Sequence, residues 1–74
     1  MTHMRGYVLG RVQRFKELRL ELPQVVYAVS QLVVDLKHSG WRPRDWRRLY
    51  YSLRGVADHT TLSVMRVAIR QQFK

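Results

Sequence analysis

Cysteine is absent from the 74 residues. That removes disulfide staples, thiolate metal sites and thiol catalysis together, and it fits a reducing cytoplasm as the location. Proline occurs twice and glycine four times, so nothing resembles a linker. One domain is expected over residues 1–74, with residues 1–5 disordered. Acidic residues number five, and no pair of them sits at a spacing that suggests acid–base work. The histidines, His3, His38 and His59, are too scattered for a metal site. No serine lies in a glycine-rich elbow, and there is no phosphate-binding loop. An enzyme is not expected, nor any metal or cofactor. No apolar run approaches the roughly 20 residues of a membrane span. The N-terminus lacks the apolar core of a secretory signal; a basic helix lying on a membrane surface is a minor alternative, and no membrane partner is expected.

What the chain has in excess is positive charge. Fourteen Lys plus Arg stand against five Asp plus Glu, a net +9. Arginine supplies eleven of the fourteen, and its planar fork suits bidentate contact with phosphate or carboxylate. The balance calls for an anionic partner, either nucleic acid or an acidic protein face. At 46% apolar residues the chain can still build a core.

Pro23, Gly40–Pro43 and Gly55 divide the sequence into four pieces. In the first, over residues 6–22, Val8, Val12, Phe15, Leu18 and Leu22 recur at helical spacing. Leu18, Leu20 and Leu22 also alternate, so a strand is the second choice there. In the second, Val25, Val26, Val29, Leu32, Val33 and Leu36 form a wide apolar arc. Pro23 suits its first turn and Gly40 its stop. The third carries Trp46, Leu49, Tyr50 and Leu53 on one stripe and is expected to end at Gly55. The fourth, from about Asp58, is apolar almost all round except for one strip: His59, Ser63, Arg66 and Arg70. The expected fold is all-α, a small bundle of three or four helices, with a helix-turn-helix arrangement in the C-terminal half. The expected core is Val26, Val29, Leu32, Val33, Leu36, Trp46, Leu49, Leu53, Leu62, Met65 and Ile69.

A helix backed by others and presenting one polar strip has the geometry of a recognition helix in the major groove of duplex DNA. The segment RGVADHTT, residues 54–61, resembles the DNA-binding domain of the replication initiator DnaA. That family carries an Asp-His-Thr-Thr tetrad at the start of its recognition helix; here it is Asp58, His59, Thr60 and Thr61. The resemblance implies contacts from these positions to bases and phosphates. It departs from the family at Ala57, where a basic residue is expected, at Tyr51, which replaces a small residue, and at Arg54, which replaces an apolar one. Read without the resemblance, the tetrad is an N-cap with solvated neighbours. The expected nucleic-acid contacts are Arg42, Arg44, Arg47, Arg48, Arg54, His59, Thr60, Ser63, Arg66 and Arg70.

The alternative is a phage- or plasmid-encoded regulator that docks on a host machine such as RNA polymerase. Its expected interface residues are Tyr27 and Val34, which flank the polar strip of the second helix, with Trp41 and Tyr51. Trp41, between Gly40 and Pro43, is expected to be exposed beside arginine, a combination typical of binding hot spots. Leftover apolar surface also allows a homodimer.

Overall fold

A computed structural model describes residues 2–74. They form four helices, α1 (Thr2–Leu18), α2 (Leu22–His38), α3 (Pro43–Val56) and α4 (His59–Gln72), with no strand among the described residues. α2 packs most extensively on α4, α4 meets α3, and α3 meets α1. Of the five N-terminal residues expected to be disordered, Met1 lies outside the described residues and the others begin α1.

Each helix end has a local cause. Arg19, with φ 52°, turns the chain out of α1, so the helix stops before the Leu18–Leu20–Leu22 alternation is complete. That alternation straddles a turn and is not a strand. The Glu21 N–H donates to Gln24 Oε1 (3.0 Å), and Pro23 occupies the first turn of α2. α2 closes in a Schellman arrangement. Trp41 N–H donates to the Leu36 carbonyl (2.9 Å) and Gly40 N–H to that of Lys37 (3.0 Å). Gly40 has φ 98°, a conformation an L side chain resists. α3 begins at Pro43, with the Arg42 N–H donating to Asp45 Oδ2 (2.8 Å). It continues through Gly55 to Val56, so Gly55 is not its terminator. Only Ala57 and Asp58 separate α3 from α4.

The core draws on every helix. α1 contributes Val8, Val12 and Phe15, one face at i, i+4, i+7. α2 adds Val25, Val29, Leu32, Val33 and Leu36, α3 adds Trp46, Leu49 and Leu53, and α4 adds Met65 and Ala68. Eight of the eleven expected core residues are buried. Val26 is 44% exposed, and Leu62 and Ile69 are only partly buried. The apolar arc of α2 is wider than its buried face, which takes in Val25 and leaves Val26 largely exposed. Trp41 is the larger correction. It is 2% exposed and belongs to the core, packed edge to face on Trp46. Leu18 and Leu22 are exposed at the α1–α2 turn.

Candidate nucleic-acid interface

Eight of the chain's fourteen cations, Arg42, Arg44, Arg47, Arg48, Arg54, Arg66, Arg70 and Lys74, fall in the last 33 residues with only two acids, Asp45 and Asp58. Both acids serve helix N-termini. Asp45 accepts from the Arg42 N–H, and Asp58 Oδ1 accepts from the Thr61 N–H at 2.8 Å. The Thr61 backbone N–H, then its hydroxyl, hold the Asp58 carboxyl below its usual value, with burial opposing.

The cap divides the Asp-His-Thr-Thr tetrad. Asp58 closes the first turn of α4, and Thr61 is buried against the core. Two of the four residues therefore have structural work that accounts for them. His59 and Thr60 remain exposed, as do Ser63, Arg66 and Arg70. The polar strip of α4 is thus a solvent-facing rail on a helix whose back is buried through Thr61, Met65 and Ala68.

Between α3 and α4 lies an open groove of about 660 Å³. Arg47 comes from α3, Arg66 and Arg70 from α4, and Lys74 from the chain end beyond it. The apolar part of the lining is Pro43, Trp46, Tyr50, Ile69 and Phe73, and no acidic side chain is present in it. The Arg54 guanidinium carbon lies 6.0 Å from the Tyr50 ring centroid, which carries the basic surface along α3 toward the turn. Lys37 is engaged elsewhere. Its Nζ donates to the Gln72 carbonyl (2.7 Å) and stands 5.5 Å from the Phe73 ring centroid, tying the C-terminal ends of α2 and α4.

Of the expected contacts, the fold gathers Arg47, Arg66 and Arg70 round this groove. Arg42, Arg44 and Arg48 are exposed but do not line it. Sequence reading missed Lys74 and Phe73, which lie beyond the last turn of α4 and complete the lining of the groove. Among the expected protein contacts, Tyr27 and Tyr51 are exposed, Val34 is half-buried, and Trp41 is inside. Trp41 is not a surface anchor.

No group of three or more metal-ligating side chains occurs among the described residues. No helix among them is long and apolar enough to cross a membrane. No family model matches the chain, and no curated protein or solved structure matches it.

Proposed function

We propose that the protein binds nucleic acid, as a small cytoplasmic regulator of transcription or of another DNA transaction, with α3 and α4 as its contact face. The observation that supports this reading is the convergence of Arg47, Arg66, Arg70 and Lys74 on one open groove without an acid in its lining. Like charges held this close repel one another. A phosphate backbone relieves that repulsion and releases its own counterions. Arg42, Arg44, Arg48 and Arg54 extend the positive field and steer a polyanion toward the groove. In duplex DNA the base edges fall to the rail of α4. Arg66 has the fork to pair with the two acceptors of a guanine edge. His59 and Thr60 are exposed in the first turn of α4, where their side chains can meet a phosphate while Asp58 holds the Thr61 N–H.

An acidic protein surface, such as one on RNA polymerase, is the second reading. The apolar wall of Trp46, Tyr50, Ile69 and Phe73 favours it, because protein side chains fill such a wall and a duplex backbone does not. The experiment is titration of a labelled random-sequence duplex at low salt. Saturable binding supports the nucleic-acid reading. No binding there transfers the groove to a protein partner.

A further inference from the structure

The groove between α3 and α4 joins two kinds of surface. Its cations are Arg47, Arg66, Arg70 and Lys74, and two aromatic rings, Tyr50 and Phe73, lie among them. Both rings are half-buried, so each keeps surface for an occupant. The cations that approach these rings from elsewhere, Arg54 on Tyr50 and Lys37 on Phe73, are not in the lining. Along α4 and past its last turn, charged and apolar lining residues alternate: Arg66, Ile69, Arg70, Phe73, Lys74. Arg66 and Arg70 are one turn apart, about 6 Å along the axis. Arg47 adds a cation from the α3 side.

We infer that this groove takes an unpaired nucleic-acid strand in preference to a duplex, with bases against Tyr50 and Phe73 and phosphates on the four cations. The inference rests on the nucleic-acid reading and narrows it. A duplex keeps its bases stacked inside and turns sugar and phosphate outward. It can meet Arg66 and Arg70 along the rail, but it leaves the apolar wall uncovered. A volume of about 660 Å³ falls in the range of about 300–1,000 Å³ that holds a small ligand. An unstacked base with its sugar can enter such a space and a duplex cannot. The alternation of the lining favours a strand over an acidic peptide. Every nucleotide brings one phosphate and one aromatic base, so the strand supplies the pattern by construction. A peptide must match it through a particular sequence of acids and apolar side chains. Arginine, which makes three of the four cations, also stacks on base faces. Every base has a π face, so little sequence preference is expected from the groove itself.

Anisotropy titrations of the full chain at low salt test it. The probes are a labelled oligo-dT strand of about 12 nucleotides, the same strand paired with oligo-dA, and an abasic strand of equal phosphate number. The dT strand should bind at least about tenfold tighter than the duplex, and the abasic strand should lose that advantage. An oligo-U arm separates RNA from DNA as the source of the strand. Phe73→Leu keeps apolar bulk and removes the π face, and it should narrow the strand-to-duplex ratio by about fivefold or more. Tyr27→Ala, exposed on α2 outside the groove, should leave the ratio unchanged. Far-UV circular dichroism checks that both variants fold. A duplex bound as tightly as the strand, an abasic strand equal to oligo-dT, or a ratio indifferent to Phe73→Leu would overturn the inference and leave the nucleic-acid reading standing. Binding of neither strand nor duplex would overturn both. A peptide of alternating Glu and Phe, matched in charge, that binds tighter than oligo-dT would give the groove to a protein segment and overturn the inference.

Discussion

The rings of Trp41 and Trp46 meet edge to face, with centroids 5.0 Å apart and planes at 66°. Trp41 precedes α3 and is fastened to the end of α2 by its N–H bond to the Leu36 carbonyl. Trp46 lies on α3 and also lines the basic groove. One aromatic pair therefore sets the α2–α3 elbow and supports the surface beside Arg47. Both indole N–H groups are buried and meet no hydrogen-bond partner among the described residues, while the edge-to-face ring contact packs the pair. Trp41→Ala is expected to lower stability by about 3–5 kcal/mol, most of the total for a domain this small. Urea denaturation measures it. A midpoint close to wild type would show that the elbow does not depend on Trp41.

Leu53 and Met65 are both almost fully buried, from α3 and α4. Truncating either to alanine should cost about 2–5 kcal/mol. Val26→Ala, on the exposed flank of α2, should stay within about 0.5 kcal/mol of wild type. Thermal melts compare the three. Val26→Ala as damaging as Met65→Ala would mean that Val26 belongs to the packed core.

Helical periodicity revealed the buried stripes of α2 and α3 because both repeat over several turns. It failed where no repeat exists. Trp41 lies in a loop, and only the Schellman closure around Gly40 folds it inward. Periodicity also cannot choose between Val25 and Val26, since both lie within one broad apolar arc and only the tertiary packing decides. The rail on α4 was legible from four polar residues at helical spacing. The groove was not, because Arg47 and Arg70 are 23 positions apart and meet only when α3 folds back on α4.

Asp58 should tie stability to pH. Its folded-state pKa is depressed, chiefly by the Thr61 N–H. The stabilisation is therefore fully present above the unfolded value and is lost as pH falls through the folded one. Asp58→Ala should cost about 0.5–2 kcal/mol near neutral pH, the usual worth of an N-cap. The difference should close as pH is taken below the ordinary value of 3.8. Asp58→Asn keeps a capping oxygen and should lose this pH dependence. A melting series across that range decides. A difference that persists undiminished in acid would contradict an ionised cap.

The groove and the flank of α3 make different demands on salt dependence. Arg66→Ala combined with Arg70→Ala removes two groove cations. The slope of log K against log salt for duplex binding should become shallower by about two units. Arg42→Ala combined with Arg44→Ala removes two cations outside the groove and should change the slope by less than about one unit. Anisotropy titrations at four or five salt concentrations give both slopes. Equal changes would place the phosphates along the whole basic surface, with no preference for the groove.

The most direct measurement is a backbone and arginine side-chain NMR footprint of the ¹⁵N-labelled chain during titration with a short duplex. The α3–α4 contact face predicts that the largest shifts map to Arg47, Arg66, Arg70 and Lys74 and to the rail from His59 to Ser63. Val26 and Val67 should stay near their free positions. Shifts centred on α1, or on Val26 and Val67 with the groove unmoved, would contradict the account.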